Sequence, residues 1–237
     1  MILLIDTSQE QGIVAIAREG KVLQSENNGI GKEHASWLHP AIGRILAKEK
    51  ITVRDLEAVA VVAGPGSYTG LRVGMAAAKG FCYALKIPLI TQNTLFVMAE
   101  SMRLVADEKG CLICPMIDAR RDEVFTALYQ GARELRQPFP VIGHRSSVID
   151  LVELLPPQAM ILDKNSFDEQ LARNCILFFG TGAEKWAKIK DEPDLIILPQ
   201  PNVTEAFAML SQQDFVSGKW ADPVYTEPIY LKEFFSY

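Results

Sequence analysis

The chain has 237 residues, 49% of them hydrophobic, enough for one large domain or two smaller lobes with substantial cores. Its formal net charge is -5 and its longest basic cluster is Arg120-Arg121, which argues against unaided binding of nucleic acid while leaving room for a local basic face. No apolar stretch approaches spanning length, and the opening run Met1-Ile-Leu-Leu-Ile-Asp6 meets a carboxylate too early for a signal-peptide core. A cytoplasmic protein is therefore expected, with Cys82, Cys111, Cys114 and Cys175 reduced and no disulfide.

In chain order, residues 2–7 read as a strand, followed by strands at 13–17 and, across Glu19-Gly20, at 21–26, forming an antiparallel meander. Between residues 33 and 48, Ala35, Leu38, Ile42, Ile45 and Leu46 recur at helical spacing, with Pro40 placed in the first turn or bending the helix. A buried strand at 56–63 runs into Gly64-Pro-Gly-Ser-Tyr-Thr-Gly70, and an Ala-rich helix follows at 71–86. After a strand at 88–91, Asn93 or Thr94 caps a helix that carries Leu95, Met98, Met102 and Val105 and ends at Gly110. The pattern then restarts with a strand at 112–118, a tight turn at 120–122 and a strand at 123–129. A Pro/Ser-punctuated region covers 137–157, a strand at 176–179 ends at Gly180-Thr-Gly182, and Asn202 caps a helix at 203–216 before a Pro-broken tail. Two successive units of this kind predict two related α/β lobes, 1–100 and 101–237, with the C-terminal tail free to pack back on the first.

Gly64-Pro-Gly-Ser-Tyr-Thr-Gly-Leu-Arg-Val-Gly74 lies between a strand and a small-residue helix. Its glycines Gly64, Gly66 and Gly70, the hydroxyls of Ser67 and Thr69 and the helix amides suit a phosphate, and they suit a tight structural turn equally. It lacks the Lys of a P-loop and the spacing of a dinucleotide fingerprint. Cys111-Leu-Ile-Cys114 has no second pair, and strand residues three apart point to opposite faces, so core thiols are expected rather than a zinc or redox site. No Ser-His-Asp order with a nucleophile elbow is present, which disfavours a hydrolase. Gly70, Gly74 and Ala78 form a smooth stripe that lets another backbone approach, either the chain's own sheet or a partner.

The Gly64-to-Gly74 loop resembles the signature loop of the TsaB (YeaZ) family. Ile5-Asp6-Thr7-Ser8, Glu33-His34, Ile117-Asp-Ala-Arg120, Gly180-Thr-Gly182, Pro223-Val-Tyr225 and Tyr230-Leu231 match it in order over nearly the whole chain. The resemblance implies the fold of the actin-like ATPase and sugar-kinase superfamily. It also implies a cytoplasmic role in placing threonylcarbamoyl on tRNA adenosine, beside a TsaD-type catalytic subunit and a TsaE-type ATPase. The chain is expected to form a homodimer when alone, to meet tRNA only through the complex and not to contact a membrane.

The same resemblance puts Asp6 where superfamily ATPases manage a hydrated magnesium ion and Thr7 and Ser8 near phosphates; an Asp-Thr-Ser turn satisfying strand-end amides accounts for them equally well. ATP or ADP with Mg at or near the partner interface is the cofactor left open, with Gly180, Thr181 and Gly182 as a second adenosine or phosphate turn. Helices 33–49 and 70–86 become the docking surface, with His34, Trp37, Leu71, Gly74 and Ala78 as its residues and Trp37 as hot spot. Relatives often carry Gly where Asp122 stands, and Asp tolerates the left-handed region. Asp118 and Arg120 either meet a partner or tRNA or simply shape the turn.

The catalytic paralogue binds its metal through His-x-x-x-His. Here His34 is followed four positions on by Leu38, and His39 is rotated off that face, so no metal site and no catalytic residue is expected. The chain is read as a non-catalytic accessory subunit. The alternative is a stand-alone ATP-dependent small-molecule kinase of the same fold.

Overall fold

Apolar runs separated by helices sort into two five-stranded sheets in the computed structural model, which describes residues 1–29, 33–131, 151–192 and 194–232. Contacts divide the chain into one unit of Met1–Val97 with Asn202–Tyr237 and a second of Met98–Pro201.

In the first unit, β1 (Ile2–Asp6) pairs antiparallel with β2 (Ile13–Arg18), which pairs with β3 (Lys21–Asn27). On its other side β1 runs parallel to β4 (Ala58–Gly64), and β4 to β5 (Leu89–Asn93), giving the order β3-β2-β1-β4-β5. β1 and β4 are buried along their whole length, as strands covered on both faces must be. Leu3, Ile5, Val14, Ile16, Val59 and Val61 form one core with α1 (His34–Lys48) and α2 (Tyr68–Leu85). The other face is covered by α6 (Thr204–Val216), which packs on β1, β2, β3 and β5 and buries Phe207 and Leu210. The chain from residue 202 onward thus groups with the first sheet, so not only the tail but also α6, expected within the second lobe, packs on the first.

The second unit repeats the plan. β6 (Leu112–Asp118), β7 (Glu123–Gly131) and β8 (Leu151–Ile161) form the meander, and β9 (Ile176–Phe179) and β10 (Ile196–Leu198) run parallel beside β6. Its order β10-β9-β6-β7-β8 is that of the first sheet read from the opposite edge, so both units are built on one α/β sheet plan. α4 (Asp168–Leu171) and α5 (Ala183–Lys190) flank a core in which Phe167, Phe178 and Trp186 meet with ring centroids 5.5–5.9 Å apart.

α3 (Thr94–Lys109) contains the division between the units and is capped by Asn93, whose Oδ1 accepts the Leu95 and Phe96 amides at 2.9 and 3.2 Å. Asn202 does the same for Thr204 at 3.0 Å.

Several expectations change. The Pro/Ser-punctuated region at 137–157 falls outside the described residues up to 150, and from Leu151 it is strand β8. Pro156-Pro157 is tolerated because β8 is an edge strand, where a missing amide disrupts no second ladder. The buried stripe of α1 uses Ala41 with Leu38, Ile42, Ile45 and Leu46, while Ala35 is exposed and Pro40 lies beyond the first turn. α4, α5 and β10 are too short for period analysis to show.

The expectation of no disulfide is also corrected. Cys111 and Cys175 precede neighbouring strands, Leu112 N–H donates to the Cys175 carbonyl at 2.8 Å, and the two cysteines are bonded with Cα atoms 4.6 Å apart. Cys82 and Cys114 are free and buried, and burial pushes their thiols up to about 11 and about 12. Among the described residues no helix is long and apolar enough to cross a membrane.

Alkylation of the unfolded, unreduced chain should therefore modify two cysteines, Cys82 and Cys114, and all four after reduction, as read by intact mass. Four modified before reduction would remove the bond from the structure.

Candidate functional site

β1 ends on Asp6-Thr7-Ser8, all buried, and the signature loop closes directly over them. Asp6 Oδ1 accepts the Ser8 amide at 2.9 Å and the Ser8 hydroxyl at 2.6 Å, an Asp turn of the kind that satisfies a strand end. Ser67 N–H donates to the Ser8 carbonyl at 2.6 Å, and Thr7 Oγ1 donates to the Gly70 carbonyl at 2.7 Å. Ser67 is the N-cap of α2 and accepts Gly70 N–H at 3.3 Å.

The reason for the glycines lies in this contact. A Cβ on Gly66 would drive into the Ser8 carbonyl, one on Gly70 into the Thr7 carbonyl and one on Gly74 into Thr7 Oγ1. Gly64 has φ +121°, and a Cβ there would lie 2.6 Å from the Ile229 carbonyl, because the tail docks here with Ile229 N–H on the Ala63 carbonyl at 2.7 Å. Tyr230 completes the strap by packing on Tyr68, ring centroids 5.2 Å apart, and by accepting Arg72 Nε at 3.1 Å. Thr69 is exposed.

His34 belongs to the same cluster. Its Nε2 lies 2.9 Å from the Gln9 carbonyl, and its Nδ1 accepts from Asn28 Nδ2 at 3.1 Å, which makes Nε2 the protonated nitrogen. Asn28, buried, also accepts Gly12 N–H through Oδ1 at 2.8 Å. The sequence reading missed Asn28; its position before Gly29 at the end of a strand was the only local signal. Trp37 is half-buried and donates Nε1 to Glu26 Oε1 at 3.3 Å, while Arg44 Nη2 holds the same oxygen at 2.5 Å. The Arg44 hydrogen bond lowers the Glu26 carboxyl and outweighs the opposing effect of partial desolvation.

Burial raises the Asp6 carboxyl above its ordinary value of 3.8, outweighing the Ser8 hydrogen bonds and the attraction of His34. A buried carboxylate held against its preference is a common mark of a functional position.

The second unit repeats the arrangement. Asp118 ends β6 as Asp6 ends β1, and its Oδ1 accepts Arg120 N–H at 2.7 Å, again two residues on. Thr181 Oγ1 accepts Asp118 N–H at 3.0 Å from the Gly180-Thr-Gly182 turn. Gly180 has φ +95° with the Met116 carbonyl against its Cβ direction, and a Cβ on Gly182 would meet Val124 at 2.8 Å. Lys185 of α5, also missed, bonds Asp118 Oδ1 at 2.5 Å and the Arg121 and Glu123 carbonyls at 2.5 and 3.1 Å. The left-handed residues of this turn are Arg120 (φ 66°) and Arg121 (φ 52°), not Asp122; each costs about 1–2 kcal/mol relative to a residue at ease there.

The predicted residues thus gather as two clusters, one per unit. In both, the space a Cβ would take on Gly66, Gly70, Gly74, Gly180 or Gly182 is occupied by the chain itself. Leu71, Gly74 and Ala78 are buried within the first unit and offer no docking area, because their stripe packs against the chain's own β1 and β4. The exposed stripe of α2 is Arg72, Ala76, Gly80 and Tyr83, the last 86% exposed.

Comparison with known proteins gives these features a context. A family model described as TsaD, tRNA N6-adenosine threonylcarbamoyltransferase, matches residues 20–216. The chain is 28% identical to the Escherichia coli (strain K12) tRNA threonylcarbamoyladenosine biosynthesis protein TsaB, covering 98% of this chain and 94% of that one. It is 36% identical to the Bacillus subtilis (strain 168) protein of the same name over 54% of this chain, and this match spans about half, 55%, of that relative's length. The fold is that of YeaZ from Pseudomonas aeruginosa, with TM-score 0.72 at 22% identity over 97% of this chain and 99% of that one.

Two measurements test this geometry. Gly70→Ala should destabilise the chain by about 1–3 kcal/mol in urea denaturation. Gly80→Ala, on the same helix with nothing within 4 Å, should stabilise it by about 0.5–1 kcal/mol; equal effects would show that the close approach at Gly70 is not what excludes a side chain. For Asp6, the raised carboxyl means that the folded chain keeps a proton the unfolded chain has released, so native stability falls as pH rises from 3.8 through the folded value. Asp6→Asn lacks this penalty, and its stability relative to the native chain should grow with pH across that window; a constant difference refutes the assignment.

Proposed function

The chain belongs to the family of TsaD, tRNA N6-adenosine threonylcarbamoyltransferase, as a member of its TsaB (YeaZ) type, and from that premise we propose that it is the non-catalytic subunit that binds and activates a TsaD-type paralogue. Its place is in tRNA threonylcarbamoyladenosine biosynthesis. The paralogue transfers threonylcarbamoyl from threonylcarbamoyl-adenylate to tRNA adenosine, and this chain orders the assembly in which that happens. A TsaE-type ATPase joins it, and the isolated chain pairs with a second copy.

The observation that carries this reading is at α1. The position four residues after His34, where a metal-binding pair needs its second imidazole, is Leu38, fully buried in the core. Both nitrogens of His34 are spent on Asn28 and Gln9, so the imidazole that remains organises a turn.

The docking surface follows from exposure. α1 shows Ala35, Gly43 and Ala47 to solvent, α2 shows Ala76 and Gly80, and small side chains of this kind let partner helices approach closely. Tyr83, large and almost fully exposed, replaces the half-buried Trp37 as the anchor.

Mixing this chain with a TsaD-type subunit, threonylcarbamoyl-adenylate and tRNA should yield modified adenosine only when both proteins are present; phosphate transfer by this chain alone would replace the proposal with the kinase reading. Tyr83→Asp should weaken association with the paralogue by at least about tenfold while leaving the melting temperature of the isolated chain within about 2 °C. Unchanged association removes α2 from the interface.

A further inference from the structure

The turn between β6 and β7 is built for rigidity, yet it carries the wrong residues for stability. Arg120 and Arg121 are consecutive and both left-handed, a conformation that Gly and Asn occupy with less strain. Both side chains are exposed, and among the described residues neither guanidinium has a hydrogen-bond or ion-pair partner. No contact of the two arginine side chains therefore offsets the backbone cost. An unfavourable conformation maintained at an exposed position points to function rather than to folding.

The scaffold under the two arginines is fully tied. Asp118 Oδ1 accepts Arg120 N–H at 2.7 Å, Ala119 N–H donates to the Glu123 carbonyl at 3.0 Å, and Leu162 N–H donates to the Asp122 carbonyl at 2.8 Å. Lys185 fixes the Arg121 and Glu123 carbonyls and takes up the charge of Asp118. Two guanidinium groups are thus presented from a pre-ordered loop, with the adjacent exposed Asp122 cancelling only part of their charge.

We propose that the Arg120-Arg121 turn is a contact for the phosphodiester backbone of RNA. Planar guanidinium forks match phosphate oxygens, and a rigid turn lowers the ordering cost of making those bonds. A polypeptide of net charge -5 with one such turn cannot hold RNA firmly by itself. The contact therefore adds to a grip supplied mainly by the catalytic paralogue, and in this respect it rests on the scaffold reading above.

The test uses the doubly substituted chain R120N/R121G, whose new residues suit the left-handed turn. Its melting temperature should rise by several degrees, about 2–4 °C for each relieved kilocalorie of strain. Its association with the TsaD-type subunit should be unchanged. Binding of an unmodified tRNA transcript by the assembled pair should weaken by about threefold to tenfold, and the slope of log affinity against log salt should become shallower by about 1–2. An unaltered tRNA affinity and salt slope overturn the proposal. So does an equal loss of binding to polyglutamate, which would make the turn a reader of carboxylates. If the native chain fails to associate with the TsaD-type subunit, the scaffold reading fails separately. The same tRNA comparison on the isolated chain at low ionic strength then decides the turn, and indifference to the substitution rejects it.

Discussion

The contact on which the first unit depends is backbone against backbone. The end of β1, at Thr7 and Ser8, lies so close to the start of α2 that Gly66, Gly70 and Gly74 have no room for a methyl group. This contact sets the direction of α2, brings Ser67 to its capping position and lets the Thr7 hydroxyl reach the Gly70 carbonyl. The three glycines let the chain approach itself.

The duplication of the sheet makes a useful internal comparison. Asp6 and Asp118 stand at equivalent strand ends and close the same turn two residues on, but their surroundings oppose one another. Asp6 is buried and its carboxyl is raised; Asp118 is exposed and neutralised by Lys185. One architecture thus yields a sequestered carboxyl in one unit and, in the other, an ion-paired anchor under an exposed basic turn. Function has to be argued from such local chemistry, since the fold is common to both.

Much of the architecture was legible from hydrophobic period alone. β1, β4, β6 and β9 are uninterrupted apolar runs, α1 carries its buried residues at three- and four-residue intervals, and Asn93 and Asn202 mark helix starts by the chemistry of their side chains. These signals are local, so they survive in one dimension. The recurrence of a hairpin followed by helices was enough to indicate two related lobes. The absence of a second imidazole one turn beyond His34 could be read without coordinates.

Other features depended on residues far apart in the chain. The return of α6 to the first sheet and the docking of Ile229 beside Gly64 join segments more than a hundred residues distant, which no periodicity encodes. The disulfide arose because β6 and β9 are parallel neighbours and place Cys111 beside Cys175, whereas the sequence alone pointed to reduced thiols. The smooth stripe of α2 was visible as Gly70, Gly74 and Ala78, but only packing could show that it faces inward and that Tyr83 faces out. Sequence by itself determined the long strands and helices and the leucine four residues after His34, because these follow from residue types close together in the chain. The tertiary structure decided which glycines serve the chain's own backbone and which arginines bear strain in the open, because both depend on what lies across space from them.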